Sequence, residues 1–407
     1  MSKKLTPNVR FKGFSDDWEQ RKLGQVASRV TRKNKNLEST LPLTISAQNG
    51  LVDQREFFDK VVASKNVSGY FLVKKGEFAY NKSYSKGYPV GAIKRLDKYS
   101  MGVLSTLYIV FTPEKVNSQF LATYYESTSW YREVIKVSAE GARNHGLLNI
   151  SPNDFFSTKL EIPVNSKEQE NIGEVISFID EIIASNQKQL DQLKTLKKLF
   201  LQKIFDQEWR FKGFTDPWEQ RNLKNSLSLL KDGTHGSHKD GNYSMLLSTK
   251  NLVGGKVVFD KMIDRKIGKE DYQSIFKGYT LQSEDILLSV VGSIGRVSVY
   301  QPVDVPIAFQ RSVAILRSKG QLIQGFLRYS LETYKIQHQM KMKTTISAQP
   351  DLFLGDLGQI TITFPNIKTQ VKITKILNNI TETIASNQKQ LDQLKQLKKW
   401  FLQNLFV

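Results

Sequence analysis

The feature that most constrains this 407-residue chain is an internal repeat, in which two segments occur twice about 200 residues apart. The stretch RFKGFSDDWEQRKL (10–23) returns as RFKGFTDPWEQRNL (210–223), with 11 of 14 positions identical. The stretch at 183–205 returns at 384–406 with 19 of 23 positions identical. Two matches at nearly one spacing predict two tandem halves that share a fold.

Between these repeated edges the halves diverge, because residues 24–182 and 224–383 share little identity while keeping a common skeleton. The skeleton is visible in three pairs of matched segments: 46–49 with 248–251, 91–93 with 295–297, and 104–111 with 309–317. Alternating β-branched stretches between glycines and charged turns are typical of strands. We therefore expect an α+β chain that uses one globular α/β fold twice, with two parts performing the same task on different targets.

The second repeated segment predicts a long amphipathic helix at the end of each half, uninterrupted by Pro or Gly after Gly173. Apolar residues recur at alternating four- and three-residue steps over about five heptads, which indicates a coiled-coil seam. The seam positions are Ile176, Ile179, Ile183, Asn186, Leu190, Leu193, Ile380, Ile384, Asn387, Leu391 and Leu394. Since neither helix can bury its seam alone, we expect the two helices to pack as an antiparallel coiled coil.

Two local signals refine this prediction. Ser166 and Gln169 have the spacing of a capping box, which marks the start of the first helix. Asn186 and Asn387 occupy equivalent seam positions, where they either face each other and fix the register or face water. The expected division is 1–165 and 208–366 for the globular parts, and 166–207 and 367–407 for the long helices, which would act as a ruler.

Composition adds a strong basic charge. The chain has 59 Lys+Arg against 39 Asp+Glu, a net charge of +20. Residues 1–206 carry 31 basic and 22 acidic residues, a net +9, and the remainder carries 28 and 17, a net +11. This charge favours an acidic partner, of which nucleic acid is the commonest, although a basic surface kept for solubility gives the same number.

The sequence offers little material for intrinsic catalysis. It contains no Walker phosphate loop, no dinucleotide-binding glycine pattern, no zinc-protease motif and no nucleophile elbow. With no Cys, it cannot form disulfides, cysteine nucleophiles or Cys-ligated metal centres. The His residues at 145, 235, 238 and 338 are too few for a convincing metal site, so we expect no metal and no catalysis.

The sequence also predicts where the chain works. No apolar segment follows the basic N-terminus, as a secretory signal would require. The longest apolar run, residues 102–113, is shorter than the roughly 18 residues that span a membrane. We therefore expect a cytoplasmic protein.

Aromatic and basic residues interleave in the first half, in AYNKSYSKGYPVGAIKR (79–95). Lys and Arg contact phosphates, Arg also reads guanine, and Tyr hydroxyls reach phosphates or base edges. A second loop, at 143–145 between two glycines, has base-reading residue types. The candidates for DNA contact are Tyr80, Lys82, Ser83, Tyr84, Lys86, Tyr88, Arg95, Arg143, Asn144 and His145. The alternative for 79–95 is a solvated strand edge.

The second half carries a polar glycine-rich loop, KDGTHGSHKDG (231–241). Its glycines let the backbone approach a ligand closely, and its side chains offer hydrogen-bond donors. The candidates in this loop are Thr234, His235, Ser237 and His238. The other candidates of the second half are Lys250, Asn251, Arg296, Gln310, Arg311, Lys341 and Lys343. The alternative is an exposed polar loop without a ligand.

With these features the chain resembles, over essentially its whole length, the specificity subunit of type I restriction–modification systems. The duplicated layout with two long repeated helices carries most of the resemblance. Shorter carriers are the WEQR openings at Trp18 and Trp218, the DGTHGSH loop (232–238), the turn at 141–143 and EIPVNSKEQ (161–169). The second half departs from the first at FPNIKTQ (364–370), which lacks the Glu before Gln.

The resemblance implies a non-catalytic DNA-recognition subunit in which each globular part is a target-recognition domain for one part of a bipartite, asymmetric DNA site. It also implies that the helix pair sets the spacer and docks two modification (methyltransferase) subunits, with two restriction (translocase and nuclease) subunits in the larger complex. S-adenosylmethionine and ATP with Mg²⁺ would be used by these partners, and this chain would bind no cofactor.

Two other classes of function remain alternatives at this point. The chain could be a coiled-coil adapter whose globular parts bind proteins, or an enzyme whose unrecognised site uses the His residues. An assembled methyltransferase complex separates them, because only a specificity subunit is required for modification of one bipartite sequence.

Overall fold

The computed structural model describes residues 5–46, 48–58, 64, 66–83, 87–138, 148–345 and 348–407. The chain forms two compact units. Unit 1 is Met1–Lys188 together with Lys389–Val407, and unit 2 is Gln189–Gln388. The units therefore differ from the expected linear division, because each long helix contributes to both of them and the end of the chain belongs to unit 1.

Unit 1 is a mixed structure whose short strands alternate with short helices. Its strands are β1 (Glu19–Lys22), β2 (Ala27–Arg29), β3 (Leu43–Ser46), β4 (Gly50–Asp53), β5 (Phe71–Lys74), β6 (Phe78–Asn81), β7 (Ala92–Arg95), β8 (Met101–Leu104), β9 (Ile109–Pro113) and β10 (Lys159–Ile162). Its helices are α1 (Leu23–Val26), α2 (Gln54–Phe58), α3 (Ser118–Tyr124), α4 (Tyr131–Val137), α5 (Pro152–Ser157) and the beginning of α6 (Ser166–Phe205). An antiparallel sheet in the order β2-β9-β6-β7 forms the centre, and β1 pairs with β10 next to α6.

Unit 2 repeats this plan with additional strands. Its strands are β11 (Glu219–Asn222), β12 (Leu227–Asp232), β13 (Asp240–Leu247), β14 (Leu252–Val253), β15 (Lys256–Val257), β16 (Lys266–Ile267), β17 (Ile286–Ser289), β18 (Val297–Val299), β19 (Ile307–Phe309), β20 (Val313–Ser318) and β21 (Thr361–Phe364). Its helices are α7 (Lys269–Ile275), α8 (Gln324–Glu332), α9 (Tyr334–Lys343), α10 (Leu354–Gly358) and the beginning of α11 (Ile367–Asn404). The central sheet has the order β12-β20-β17-β18, and β11 pairs with β21 next to α11.

The two central sheets share their strand order and register. Tyr80 lies opposite Ile93 in unit 1, and Leu288 lies opposite Val297 in unit 2. Gly91 and its counterpart Gly295 have φ angles of +81° and +88° just before the equivalent strands β7 and β18. Only glycine adopts this conformation readily. The common skeleton expected from the sequence is therefore present.

The long helices bury the predicted seam. All eleven predicted seam residues are buried or half-buried in α6 and α11. In unit 1 the beginning of α6, with Ile172 and Ile176, packs in one core with Phe401 from the end of α11 and with the following Leu405. In unit 2 the end of α6, with Ile204, packs in one core with Ile373 from the beginning of α11. Within each unit the two helices therefore run antiparallel.

The Asn residues of the seam are half-buried and bond within their own helices. The Asn186 amide donates to the carbonyl of Ile182 at 2.9 Å, and the Asn387 amide donates to the carbonyl of Thr383 at 3.0 Å. Their mutual contact stays a prediction.

The start of α6 corrects the predicted capping box. Asn165, not Ser166, caps the helix, because its side-chain oxygen accepts from the Lys167 amide at 2.8 Å. Gln169 instead accepts from the Asn117 amide at 2.8 Å and donates to the Pro163 carbonyl at 2.8 Å. The box spacing was present, but Gln169 is buried and satisfies backbone groups of neighbouring segments.

Unit 2 repeats this arrangement with Gln370. Its side chain accepts from the Ile323 amide at 3.0 Å and donates to the Pro365 carbonyl at 2.7 Å. Asn366 caps α11, because its side-chain oxygen accepts from the Thr369 amide at 2.9 Å. The buried Gln therefore connects each long helix to the beginning of another helix of its unit, α3 in unit 1 and α8 in unit 2.

Candidate nucleic-acid interface

Tyr80 is the clearest correction to the predicted DNA-contacting set. It is fully buried on β6, where its ring stacks on Phe155 at 4.8 Å between centroids. Its hydroxyl donates to the Val90 carbonyl at 2.8 Å, and burial raises the pKa of that hydroxyl. A side chain that is enclosed and already bonded is not available to DNA in this structure.

Arg95 is occupied inside unit 1. Its guanidinium bonds Asp97 at 2.6 Å, Ser118 at 3.0 Å and Gln119 at 2.6 Å. This network fastens the end of β7 to the beginning of α3. The guanidinium would have to leave three partners to read a guanine, which makes Arg95 a structural residue in this conformation.

The neighbouring candidates in unit 1 are half-buried. The Lys82 ammonium lies 3.5 Å from the Ile150 carbonyl, and the Ser83 amide donates to Asn81. Tyr88 packs at the edge of the apolar core. The remaining candidates of the first half, Tyr84, Lys86, Arg143, Asn144 and His145, lie outside the described residues.

In unit 2 the structure brings several candidates together at the loop after β12. The Thr234 amide donates to the Phe309 carbonyl at 2.8 Å, and the Arg311 amide donates to the Thr234 carbonyl at 3.0 Å. Gly233 is required there, because a Cβ atom would lie 2.0 Å from the Phe309 carbonyl oxygen. Thr234, Gln310 and Arg311 therefore share one edge, since Thr234 also forms a β-bridge with Gln310.

The two His residues of this loop have different environments. The His235 ring is 62% exposed and lies 2.5 Å from the Asp232 carboxylate. The His238 ring is 10% exposed, with Nε2 2.6 Å from the Thr234 hydroxyl and Nδ1 3.3 Å from the Asp271 carboxylate. His238 therefore holds the loop in shape, while His235 and the exposed Ser237 face solvent and are available to a ligand.

Lys250 and Asn251 belong to a turn rather than to a binding surface. Asn251 is buried and caps its own turn by accepting from the Ser248 amide at 3.0 Å. Its amide group donates to the Val258 carbonyl and to Asp264. The Lys250 ammonium is 2.8 Å from the same Asp264 carboxylate. Asn251 therefore offers no free amide group to DNA in this structure, because both ends of its amide are used.

Three further candidates are exposed cations. Arg296 is exposed just before β18, and the described residues include no partner for its guanidinium. Arg311 is 50% exposed, and its guanidinium is 3.3 Å from the Asp351 carboxylate. Lys341 is exposed on α9. Lys343 lies 3.4 Å from Gln359 and 3.9 Å from Asp356, so it is partly used.

Helix α9 also carries residues that the sequence reasoning missed. Tyr334 is 83% exposed, and its ring stacks on His338 with centroids 5.8 Å apart. The adjacent Gln337 donates to the Gly295 carbonyl at 2.9 Å, which places α9 beside the Arg296 turn. The available signal was the i, i+4 spacing of an aromatic residue and His ahead of the KMK segment.

The described residues show no cluster of three or more His, Asp and Glu side chains arranged to hold a metal ion. No helix among the described segments is long and apolar enough to cross a membrane.

Comparison with known proteins shows which families this chain is similar to. Residues 222–396 match the model of the type I restriction modification DNA specificity domain. The chain is 22% identical over 314 residues to the type I restriction enzyme MjaVIII specificity subunit of Methanocaldococcus jannaschii, covering 73% of this chain and 72% of that protein. It is also 22% identical to the EcoBI specificity subunit of Escherichia coli, covering 69% of this chain and 62% of that protein.

Solved structures agree at the level of the fold. The S subunit of the type I restriction–modification system of M. genitalium superposes with a TM-score of 0.61 at 15% identity, covering 99% of both chains. A chain from a structural study of type I R-M complex assembly superposes with a TM-score of 0.55 at 16% identity, covering 96% of this chain and 97% of that one.

Together, the matched domain, the curated relatives and the shared fold support a specificity subunit of a type I restriction–modification system. As a specificity subunit, the chain is a DNA-recognition component of a restriction–modification system. The exposed loop of unit 2 lies within the matched specificity domain.

Proposed function

We propose that this specificity subunit reads a bipartite, asymmetric DNA target, with one unit on each part. The observation that carries the proposal is that one sheet order occurs in both units while the loops around it differ. A shared scaffold with different loops gives two readers of different sequence. The balanced charge, +9 and +11 in the two halves, supports DNA contact by both of them.

We further propose that the long helices dock two modification subunits. The helices expose an equivalent pair of large apolar residues in each unit. These are Leu196 and Leu199 on α6, and Leu397 and Trp400 on α11, with exposed fractions between 37% and 46%. Because the two pairs occupy equivalent repeat positions, two copies of one partner could bind to them in the same way. Restriction subunits would join this complex.

The catalytic chemistry is proposed to reside in those partners. The modification subunits would use S-adenosylmethionine, and the restriction subunits would use ATP with Mg²⁺. This chain would act without a cofactor, in the cytoplasm, as the subunit that selects the DNA sequence.

The deciding experiment sequences the methylated DNA of cells with and without this chain while the modification subunit is present in both. We expect one interrupted sequence to be methylated only when the chain is present. If the same sequence is methylated without the chain, the proposal is wrong. Exchanging residues 24–165 for another such domain should then change one part of the sequence only, whereas a change in both parts contradicts the bipartite assignment.

The ruler role has its own test. Four residues inserted into α6 near Thr195 should change the tolerated spacer between the two parts of the target or abolish assembly. An unchanged spacer with full activity would contradict it.

A further inference from the structure

The turn between β15 and β16 in unit 2 exposes two large apolar side chains next to each other. Met262 is 91% exposed and Ile263 is 79% exposed. Single apolar residues on a surface are ordinary, but an adjacent pair at the tip of a turn presents apolar surface that a partner can cover.

Hydrogen bonds hold this tip in place. The Met262 amide donates to the Asp260 side chain at 2.7 Å, and the Asp264 amide donates to the Asp260 carbonyl at 2.9 Å. The Asp260 amide donates in return to the Asp264 carboxylate at 2.8 Å. The turn is therefore closed from both ends, and the apolar pair is presented to solvent by a fixed backbone.

The turn is fastened to the candidate DNA-reading loop. Arg265 bonds the Asp240 carboxylate at 2.9 Å and also donates to the His238 carbonyl. On the other side, Lys250 and Asn251 bond the Asp264 carboxylate at 2.8 Å and 3.2 Å. These bonds lower the pKa of Asp264, with Lys250 as the largest cause. The predicted contact residues Lys250 and Asn251 are therefore positioning residues for this turn.

The surroundings of the tip are basic. Residues 250–271 contain six Lys and Arg residues and four Asp and Glu residues, a net charge of +2. Lys256, Lys261 and Lys269 in this stretch are exposed. Positive charge beside an apolar tip suits a polyanion that has apolar surface inside it. Duplex DNA fits this description, because its stacked base pairs lie behind the phosphates.

We infer that Met262 and Ile263 form an apolar wedge that inserts between neighbouring base pairs of the DNA target, beside the bases faced by the 234–238 loop. The inference rests on the proposed function. Side chains without donors or acceptors cannot read hydrogen-bonding base edges, but they can replace the stacking of a base step and bend the duplex. Unit 2 would thereby read the deformability of a step that it does not hydrogen-bond.

The test uses the chain assembled with its modification subunits and a duplex carrying its own methylated target. The fluorescent adenine analogue 2-aminopurine, which brightens when it is unstacked, replaces each adenine in turn in the part read by unit 2. The double variant Met262→Gln/Ile263→Thr keeps the length of the Met side chain and the β-branching of the Ile side chain, and makes both side chains polar. The matched control is Met342→Gln, because Met342 on α9 is also exposed, at 71%.

We expect one position to brighten with the wild-type complex and with the Met342→Gln control, and to stay dark with the double variant. Affinity for the target should fall about tenfold in the double variant, because the polar side chains no longer insert into the base step and the contacts that the bent duplex permits are lost. The conservative variant Met262→Leu/Ile263→Leu should keep the signal. Thermal unfolding of the free chain should be unchanged, since both side chains are exposed.

Two results would overturn the wedge. One is full brightening and wild-type affinity with the double variant. The other is weakened assembly with the modification subunits in the absence of DNA, which would assign the apolar pair to a protein contact. Failure of the proposed function is distinguishable, because the wild-type complex would then methylate no sequence that depends on this chain.

Discussion

The two units fasten the same repeated segment by different means. In unit 1 the Arg10 guanidinium bonds the Glu168 carboxylate at 2.7 and 2.8 Å, and the Trp18 indole lies 3.4 Å from the same carboxylate. The Glu168 side chain is 1% exposed. In unit 2 Thr369 occupies the position of Glu168, and Arg210 bonds surface carbonyls instead. Identical repeat residues therefore do not imply identical energetics.

The aromatic part of the fastening is conserved between the units. Trp18 packs edge-on against Phe406, two residues after the end of α11, with centroids 6.4 Å apart. Trp218 packs in the same way against Phe205, the last residue of α6, at 5.9 Å. Each unit thus closes its core with a Phe at or just after the end of a long helix, and the buried ion pair is an addition specific to unit 1.

The largest predicted difference follows from this ion pair. Glu168→Ala should destabilise unit 1 by about 3 kcal/mol, at the low end for breaking a buried pair because Arg10 keeps some exposure to water. Thr369→Ala, the matched change in unit 2, should cost less than about 1 kcal/mol, because only one neutral hydrogen bond to Asn366 is lost. Urea unfolding followed by hydrogen exchange in β1 and β11 measures both. Equal losses of stability in the two units would contradict the predicted difference between them.

Lys398 and Lys197 are a second pair of equivalent residues whose surroundings differ between the two units. In unit 1 the Lys398 ammonium lies 2.6 Å from both Glu126 and Asp180. In unit 2 Lys197 lies 2.7 Å from Glu332, which Arg328 also approaches at 3.7 Å. Burial lowers the pKa of Lys398, but the charges of Glu126 and Asp180 outweigh it and the pKa is raised. Both clusters therefore hold a second, more distant cation, which in unit 1 is Lys94 at 3.9 Å from Glu126, but only in unit 1 does the central Lys bond two carboxylates.

Lys398→Met should cost about 2 kcal/mol at pH 7, less than a fully buried pair because its carboxylates keep contact with water. Lys197→Met should cost about half as much, since Lys197 bonds one carboxylate and Lys398 bonds two. Burial already raises the pKa of Asp180 above its ordinary value, and loss of the ammonium removes the main opposing charge.

The same variant has a predicted pH dependence. A carboxyl whose pKa is raised by folding takes up protons more readily when folded, so its contribution to stability is lost as the pH rises. The loss in Lys398→Met should therefore shrink as the pH falls toward about 4, the ordinary range of carboxyl groups. Thermal unfolding of wild type and variant between pH 4 and 8 measures it. A constant difference in stability between wild type and variant across this range would show that the ionisation of the carboxylates is not coupled to the charge of Lys398.

The sequence predicted the features that depend on periodicity and repetition. The seam residues from Ile176 to Leu394, the two-fold use of one sheet and the glycines at 91 and 295 all follow from local pattern. The sequence did not predict that the end of the chain completes unit 1, because the contact of Trp18 with Phe406 joins residues at opposite ends of the chain.

The interface was harder to predict for a physical reason. Residue type says what a side chain can bond, but not whether a partner within the protein already occupies it. Tyr80, Arg95 and Asn251 have the chemistry of DNA-contacting residues, and each has used it on the protein itself. Arg296 and His235 have the same kind of chemistry and remain exposed.

Arg296 and Arg95 therefore provide a matched test of the interface. Arg296→Ala should weaken binding of the target by the assembled complex by about 1 kcal/mol and reduce the salt slope of the affinity by about one, as for loss of a phosphate contact. Arg95→Ala should leave the salt slope unchanged and lower the thermal stability, because its guanidinium bonds Asp97, Ser118 and Gln119. Titrations at several salt concentrations separate the two results. A reduced slope in Arg95→Ala alone would reverse the assignments.

A small effect on stability alone is predicted at Tyr80, whose equivalent in unit 2 is the apolar Leu288. Tyr80→Phe removes only the hydroxyl that donates to the Val90 carbonyl, and should cost about 1 kcal/mol of stability, the usual net value of one hydrogen bond. Binding of the target at a temperature well below unfolding should be unchanged. Weaker binding by a variant of full stability would instead mean that β6 opens when DNA binds. Unit 1 would then read DNA with a residue type that unit 2 lacks at this position.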